Sequence, residues 1–368
     1  MPEPRAILKH FSPYTAGRSM EEIKKEFGLN RVFKLASNEN PWGPSPSAIR
    51  EIRKAAELVN RYPDSNYTDL KKSIASLWKV PPSCVVVGAG SDELIEVLAK
   101  AFIEPEDSIL FSRYAFIRYK MAGQLMGAEV KEIPALKNLG HDVIKMAETA
   151  SRKTKLIFIA NPNNPTSGYA GEREFGLFWK IYRKRKLNAL VVMDEAYAEY
   201  VTEKDYPRSI DWVRKGYPVV FLRTFSKAYG LAGLRIGYGI GPAGFIGPLE
   251  RIRPPFSISS LSQRAAIAAL KDRQYLRGIV RKTLMEKDFL EKELKKSNVV
   301  FMPGVTNFLL IRVSDGRKVF EKLLRKGIIV RSMDEYGLPS WIRVTVGKRE
   351  ENRRFLSLFL DLLKEGQP

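Results

Sequence analysis

Residues 190–197 read Leu-Val-Val-Met-Asp-Glu-Ala-Tyr, so four apolar residues run directly into two acids. The apolar run is too short for a helix and does not alternate with polar residues, which is typical of a strand buried on both faces. Similar short runs occur on either side of it, at residues 85–87, 109–111, 156–159, 219–222 and 235–238. Between them lie segments with a helical spacing of apolar residues, such as residues 92–98. The pattern predicts an α/β fold whose large domain has a mostly parallel central sheet covered by helices.

The C-terminal third of the chain has a different pattern. Helical spacing over residues 262–296 leads to strand-like runs at residues 307–311, 328–330 and 341–346, and then to a closing helix. This alternation predicts a second, smaller α/β domain. We therefore expect three parts, namely an N-terminal arm that joins the small domain (1–35), a large domain (36–260) and a small C-terminal domain (261–368).

The composition excludes several classes of protein. Among 368 residues there is a single cysteine, Cys84, which excludes an intramolecular disulfide and a cysteine-based zinc site. The two histidines, His10 and His141, are too few for a histidine-rich metal centre, and we expect no metal. The N-terminal residues lack the apolar core of a signal peptide, and no apolar run approaches the roughly 18 residues of a membrane span. These features predict a soluble, cytoplasmic protein without a membrane partner.

The chain is strongly basic, with 62 Lys and Arg residues against 41 Asp and Glu residues and a formal net charge of +21. A basic surface of this kind is compatible with a nucleic-acid partner, because it releases counterions from the phosphate backbone. However, the densest basic run, residues 180–186, ends a helical stretch, where cations complement the helix dipole. The other basic residues are interspersed with acids. We therefore expect no nucleic-acid partner, and instead a few arginines that bind small anions.

Polar residues follow four of the apolar runs, at the strand ends where open parallel sheets bind ligands. The first run leads into a turn at residues 88–93 that contains Gly90, Ser91 and Asp92 and opens a helix. Backbone N–H groups at such a helix start suit a phosphate. The dinucleotide fingerprint GxGxxG is not met, because its last position is Glu93.

The other three strand ends carry amides, a carboxylate and an amine. Residues 161–166, Asn-Pro-Asn-Asn-Pro-Thr, cannot continue a strand. Asp194 directly follows a buried strand, where a carboxylate suits a cationic partner. Lys227 also follows a buried strand, and a buried lysine is costly unless it reacts or pairs. Together the four ends predict a cofactor with a phosphate, a basic ring and a carbonyl.

The residues Asn164, Asp194, Tyr197, Lys227 and Arg235 resemble the signature of fold-type-I pyridoxal-phosphate aminotransferases. The resemblance extends to the histidinol-phosphate aminotransferase family. The motifs that carry it are residues 37–44, 61–64, 88–93, 161–166, 194–197, 223–237 and 341–347, in order along nearly the whole chain. It implies pyridoxal 5'-phosphate as the cofactor and the two-domain fold of that family.

The resemblance assigns roles to these residues. It implies that Lys227 forms the Schiff base with the cofactor aldehyde and then moves the proton, and that Asp194 pairs with the pyridinium nitrogen. Tyr197 and Asn164 are expected to hydrogen-bond the phenolic oxygen. Tyr114 falls where the family stacks an aromatic residue on the cofactor ring. The expected phosphate-binding residues are Gly90, Ser91, Asp92, Thr224, Ser226 and Arg235.

The resemblance also implies how the substrate and a second subunit are bound. Tyr62 resembles a tyrosine that reaches the cofactor of the neighbouring subunit, which implies a homodimer with shared active sites. Arg343 and Arg331 are the expected partners of the substrate carboxylate and phosphate. Tyr14 and Asn38 fall in the segment that closes over the site.

The implied reaction converts imidazole-acetol phosphate and L-glutamate into L-histidinol phosphate and 2-oxoglutarate, in histidine biosynthesis, by a ping-pong mechanism. Three alternatives remain: an aromatic amino-acid aminotransferase, a threonine-phosphate decarboxylase, and a basic DNA-binding regulator that carries the cofactor. Three departures from the family pattern weaken the substrate assignment most, namely Ser167 where glycine is usual, Arg113 before Tyr114, and residues 255–260, which lack the usual asparagines.

Overall fold

The computed structural model describes residues 2–11 and 17–365. The strands in these ranges are Phe33–Lys34 (β1), Val85–Gly88 (β2), Ser108–Ser112 (β3), Glu129–Ile133 (β4), Thr154–Ala160 (β5), Leu190–Asp194 (β6), Val219–Thr224 (β7), Gly237–Ile240 (β8), Phe301–Met302 (β9), Phe308–Arg312 (β10), Ile328–Ile329 (β11), Arg331–Ser332 (β12) and Trp341–Thr345 (β13). The α-helices are Met20–Phe27 (α1), Pro46–Ala55 (α2), Thr68–Trp78 (α3), Gly90–Phe102 (α4), Ile117–Leu125 (α5), Val143–Thr149 (α6), Glu172–Lys184 (α7), Ser209–Arg214 (α8), Ala243–Ile252 (α9), Ser260–Lys271 (α10), Arg273–Lys296 (α11), Gly316–Arg325 (α12) and Arg349–Glu365 (α13). None of these helices is both long enough and apolar enough to cross a membrane.

A seven-stranded sheet in the order β2-β8-β7-β6-β5-β3-β4 forms the centre of the large domain. All neighbours in it are parallel except β8, which runs antiparallel to both β2 and β7. Successive residues of a strand pack on opposite faces, so Leu110 belongs to one apolar cluster while Ile109 and Phe111 belong to the other. The predicted α/β fold with a mostly parallel, helix-covered sheet is therefore confirmed.

The sequence pattern missed one strand of this sheet, the edge strand β4. Its residues Glu-Val-Lys-Glu-Ile are mostly exposed or half-buried, and only Ile133 is buried. An edge strand has one neighbour and needs no continuous apolar run, so the signal that identifies the central strands is absent here. The last predicted run, residues 235–238, starts two residues too early, because Arg235 has a left-handed backbone (φ 47°) and lies before β8.

The smaller α/β domain is built on a four-stranded antiparallel sheet in the order β12-β13-β10-β9. β1 from the N-terminal segment pairs in parallel with β11, so this segment folds together with the C-terminal part of the chain. Leu35 packs in one cluster with Leu309, Ile342 and Phe355 of this domain. This packing places residues 36–39 beside the small sheet, where Asn38 N–H donates to Thr345, and Ser37 and Asn38 also contact Lys227 and Tyr197 of the large domain.

The boundary between the domains concerns α10 and α11. Ala265, Ala266 and Ala269 of α10 belong to the apolar cluster of the large domain, where α10 packs on α2 and α3. Leu290 and Leu294 of α11 belong to the cluster of the small domain. The sequence predicts a domain boundary at residue 260, and that boundary stays a prediction. From the packing of α10 and α11, we propose that the boundary lies between these two helices.

Candidate active site

A cavity of about 400 Å³ lies at the carboxyl ends of β5, β6 and β7, and β12 and β13 of the small sheet supply its far wall. The ends of these neighbouring parallel strands meet at one edge of the sheet, so residues far apart in the sequence converge there. Of the residues predicted from the sequence, the following line the cavity: Asn38, Gly90, Ser91, Asp92, Asn164, Asp194, Tyr197, Thr224, Ser226, Lys227, Arg235, Arg331 and Arg343.

Lys227 is the amine in this cavity that the sequence singled out. Its Nζ donates a hydrogen bond to the carbonyl oxygen of Ser37 at 2.9 Å and lies 5.8 Å from the centre of the Tyr197 ring. Burial, together with the positive charge of Arg343, lowers the pKa of Lys227 to about 8. A useful fraction of this amine is therefore neutral near neutral pH, which allows it to act as a nucleophile and as a base.

Asp194 is a buried carboxylate that ends β6. Its Oδ2 accepts a hydrogen bond from the Tyr119 hydroxyl at 2.7 Å, and its Oδ1 accepts one from the backbone N–H of Ala196 at 3.2 Å. Burial raises the pKa of Asp194 above its ordinary value, although both hydrogen bonds and the charge of Lys227 oppose this shift. A carboxylate held in this way is suited to a buried cationic partner such as a protonated ring nitrogen.

An anion cradle lies at the start of α4. Gly90 has a left-handed backbone (φ +82°), and a Cβ at this position would lie 2.9 Å from an Nη of Arg235. The hydroxyl of Thr224 donates to Ser226 Oγ at 3.0 Å, and Arg235 Nη1 donates to the same oxygen at 3.4 Å. Backbone N–H groups at a helix start, two hydroxyls and a guanidinium are the donors that a phosphate requires. The residues present therefore fit a phosphate-bearing cofactor.

Asn38 holds the phenol of Tyr197. The amide of Asn38 donates to Tyr197 Oη at 2.9 Å, and its Oδ1 accepts from Thr345 Oγ1 at 3.0 Å. Asn38 is buried and has a left-handed backbone (φ 55°), a conformation that asparagine tolerates better than most residues. The structure thus gives Asn38 a contact with a predicted cofactor-binding residue in addition to its place in the cavity wall.

Arg343 and Arg331 lie opposite each other on the paired strands β13 and β12. The buried Arg343 donates to Asn164 Oδ1 and to the carbonyl oxygen of Ala36, and its guanidinium lies 5.3 Å from the centre of the Phe308 ring. Arg331 donates to Glu335 at 2.6 Å. Two guanidinium groups side by side in one wall provide a site for one or two anionic groups.

Comparison with known proteins identifies the family. The family model "Aminotransferase class I and II" matches residues 30–359. The chain belongs to this aminotransferase family. A histidinol-phosphate aminotransferase from Moorella thermoacetica is 39% identical over 366 residues, covering 99% of this chain and 94% of the relative. Histidinol-phosphate aminotransferase 2 from Carboxydothermus hydrogenoformans is 41% identical, covering 96% of this chain and 97% of the relative.

Solved structures share the fold of this aminotransferase. Histidinol-phosphate aminotransferase from Sinorhizobium meliloti in complex with pyridoxal-5'-phosphate has a TM-score of 0.88 at 24% identity, covering 99% of this chain and 98% of that one. An aspartate aminotransferase from Thermotoga maritima has a TM-score of 0.83 at 23% identity, covering 94% of this chain and 95% of that one. At these identities the likeness supports the fold alone.

Two predicted residues do not line the cavity of the aminotransferase, and a third lies outside the described residues. Tyr114 has a left-handed backbone (φ 62°) and packs beside Leu310 and Met333, so the expected aromatic partner of the cofactor ring does not line the cavity. Tyr62 is 85% exposed and stacks on Phe256, and its role toward a neighbouring subunit stays a prediction. Tyr14 lies outside the described residues.

Sequence reasoning missed several residues that line this cavity, among them Glu39, Phe116, Tyr119 and Tyr336. Phe116 and Tyr119 follow β3, a fifth strand end at the same edge of the sheet. Applying the strand-end rule to β3 as well would have directed attention to these two aromatic residues.

Among the three departures from the family pattern, Ser167 has the left-handed backbone (φ 65°) that favours glycine, and its hydroxyl pairs with the Thr306 hydroxyl at 2.6 Å.

A buried ion cluster in the aminotransferase connects the ends of β6 and β7. Arg223 donates to Glu195 Oε2 and to Glu199 Oε1, both at 2.9 Å, and its guanidinium lies 5.1 Å from the centre of the Trp78 ring. All three charged side chains are at most 13% exposed. The cluster therefore links the residue after Asp194 to the residue before Thr224.

We expect Arg223→Met to lower the free energy of unfolding by about 3–5 kcal/mol, because it leaves two buried carboxylates without their partner. Urea unfolding at pH 7 would measure the loss. Arg183→Met is the control, since Arg183 lies on an exposed helix end and its hydrogen bond within the described residues goes to Tyr217, and it should change stability by no more than about 0.5 kcal/mol. An equal, small effect of both variants would contradict a stabilising role for the cluster.

Proposed function

We propose that this aminotransferase is a histidinol-phosphate aminotransferase that uses pyridoxal 5'-phosphate. It converts imidazole-acetol phosphate and L-glutamate into L-histidinol phosphate and 2-oxoglutarate, a step of histidine biosynthesis. The observation that carries the chemistry is the convergence of Lys227, Asp194 and the anion cradle in one cavity. The substrate assignment is supported by curated relatives of that name that are 39–41% identical over nearly the whole chain. Substrates of this kind support a cytoplasmic location.

The residues of the cavity fit this cofactor group by group. The cradle at Gly90, Thr224, Ser226 and Arg235 would hold its phosphate. Asp194 would hold the proton on its ring nitrogen, and the phenol of Tyr197 would bond its phenolic oxygen together with Asn164, as the family resemblance implies. When bound, the cofactor supplies an electron sink for the negative charge that develops at the substrate Cα.

Lys227 would move the proton in this reaction. Its amine donates to the Ser37 carbonyl, lies 5.8 Å from the centre of the Tyr197 ring and lines the same cavity as Asp194. With a pKa of about 8, Nζ can accept the proton from the substrate Cα, and it would then donate that proton to C4′ of the cofactor. Proton transfer by one positioned group in both directions is what transamination requires.

Arg343 and Arg331 would bind the anionic groups of both substrates. Arg343 is fixed by Asn164 and by the Ala36 carbonyl, so its guanidinium is already oriented before a substrate enters. A planar guanidinium accepts a carboxylate or a phosphate with two parallel hydrogen bonds. This pair of arginines would therefore bind the α-carboxylate of glutamate in one half-reaction and the phosphate of the second substrate in the other.

We further propose that the enzyme is a homodimer with shared active sites. Leu58, Val59, Tyr62 and Phe256 are large apolar residues on the surface, and the rings of Tyr62 and Phe256 lie 4.8 Å apart. Exposed apolar groups of this kind are typical of an interface. Light scattering should give twice the chain mass, and a fully active monomer would contradict the proposal.

Steady-state assays with 2-oxoglutarate as acceptor test the substrate assignment. We expect kcat/KM for L-histidinol phosphate to exceed that for L-phenylalanine or L-tyrosine by about 100-fold or more, because a dianionic phosphate carries enough charge and acceptor oxygens for both guanidinium groups, whereas the aromatic donors carry a single monoanionic carboxylate. Arg343→Gln should raise KM for every donor, whereas Arg312→Gln, on the neighbouring strand β10 but exposed, should not. A preference for the aromatic amino acids would contradict the substrate assignment, and loss of a carboxylate as CO2 would identify a decarboxylase.

A further inference from the structure

Tyr119 contacts Asp194 from a position that no role described above explains. Its hydroxyl donates to Asp194 Oδ2 at 2.7 Å, across 75 residues of sequence. The Ala196 N–H occupies the other carboxylate oxygen at 3.2 Å. The two donors together fix the plane of the carboxylate in the cavity wall.

The ring of Tyr119 is held rigidly. It is fully buried, stacks on Phe158 with ring centres 4.8 Å apart and an interplanar angle of 5°, and meets Phe116 edge to face at 5.9 Å. A side chain packed in this way loses little further freedom when its hydroxyl makes a hydrogen bond. Tyr119 is thus preorganised to hold Asp194 before any ligand enters the cavity.

The direction of this hydrogen bond is also fixed. Burial, together with the charge of Asp194, raises the pKa of Tyr119 well above its ordinary value, so the phenol stays protonated and acts as the donor. A donor to the ionised carboxylate favours its charged form. Of the other charged groups that act on Asp194, Lys227 also favours the charged form and Asp92 opposes it.

We propose that Tyr119 is a positioning residue of this enzyme, whose phenol orients the Asp194 carboxylate toward the ring nitrogen of the cofactor and stabilises its negative charge. The inference rests on the proposed function, because it concerns the partner that Asp194 is expected to bind. Tyr119 would thus orient and stabilise a charged group, in addition to packing in the core.

The test compares Tyr119→Phe with Tyr182→Phe in the full-length protein. Both changes keep a buried ring and remove a 2.7 Å hydrogen bond that the phenol donates. The Tyr182 hydroxyl donates to the Ala189 carbonyl and also accepts from the Ala189 N–H at 3.0 Å, so this control removes at least as much hydrogen bonding, but far from Asp194. We expect Tyr119→Phe to raise the Kd for pyridoxal 5'-phosphate about 10-fold, the effect of one charge-assisted hydrogen bond. The acid limb of the Kd-against-pH profile should also move to higher pH by about one unit, because Asp194 becomes easier to protonate.

A double-variant cycle separates an effect through Asp194 from other effects. In the Asp194→Ala background the phenol has no carboxylate to hold, so adding Tyr119→Phe should change the Kd by no more than about 2-fold. A 10-fold effect that persists in this background would show that Tyr119 acts directly on the cofactor and would overturn the proposal. Equal behaviour of Tyr119→Phe and Tyr182→Phe would overturn it as well.

One measurement distinguishes failure of this inference from failure of the proposed function. Borohydride treatment of the wild-type protein with pyridoxal 5'-phosphate, followed by peptide mass analysis, should locate the cofactor on Lys227. If no lysine is labelled, the proposed function fails. If Lys227 is labelled while Tyr119→Phe binds the cofactor as tightly as wild type, only the role of Tyr119 is overturned.

Discussion

Lys227→Ala is expected to lower kcat for transamination by about 10⁴-fold, because the enzyme loses the group that moves the proton at the substrate Cα. The variant should also lose the borohydride-stable attachment of pyridoxal 5'-phosphate to the chain. Stopped assays of histidinol-phosphate turnover and mass analysis of the reduced protein would measure the two effects. The fold should persist, since Lys227 makes a single described hydrogen bond, to the Ser37 carbonyl.

Lys71→Ala is a matched control for this experiment. Lys71 is a largely buried lysine whose Nζ pairs with Glu250 at 2.7 Å, outside the cavity, so its loss should leave turnover and cofactor attachment unchanged. Retention of the reduced adduct in Lys227→Ala would contradict the assignment of the lysine.

The pH dependence of cofactor attachment follows from the lowered pKa of Lys227. Below about pH 8 the amine is increasingly protonated and cannot attack an aldehyde. The rate at which the apoenzyme attaches pyridoxal 5'-phosphate should therefore rise about 10-fold per pH unit up to pH 8 and level off above it. A plateau that began only near pH 10 would mean that the cavity does not lower the pKa of this lysine.

Asp194→Asn is expected to lower kcat by about 10²- to 10³-fold while leaving the fold intact. Asparagine keeps the shape of the side chain and can still accept the hydrogen bond from Tyr119. It carries no charge, however, so the proton on the ring nitrogen loses its partner and the cofactor becomes a poorer electron sink. Near-normal turnover would mean that another group holds this proton.

The thermal stability of the same variant should not fall, in contrast to its kcat. Because burial raises the pKa of Asp194, the folded protein without cofactor disfavours the charged carboxylate, so removing the charge should not lower the temperature of unfolding. Asp205→Asn is a matched control for the kcat measurement. The Asp205 carboxylate also accepts a tyrosine hydrogen bond, from Tyr169 at 2.8 Å, but lies outside the cavity. This control should leave kcat unchanged.

The sequence by itself determined the central strands and the polar residues that end them. Continuous apolar runs identify strands buried on both faces, and this signal is local, so the residue order alone identifies residues 190–193 and 219–222 as strands. Asp194 and Lys227 can then be identified as candidate site residues, because a charged group beside a buried strand is costly unless it pairs or reacts. The edge strand β4 was missed, since it is only partly buried and lacks that run.

Only the tertiary structure decided which side chains meet. The contact of Asn38 with Tyr197 spans 159 residues of sequence and that of Tyr119 with Asp194 spans 75, and no local pattern encodes either of them. The backbone turn after β3 places Tyr114 beside the small domain and Phe116 in the cavity, although both are aromatic residues in the same short loop. The reason is physical: residue type and periodicity fix burial and local conformation, whereas the direction of a side chain after a strand depends on turn geometry and on the packing of elements remote in the chain.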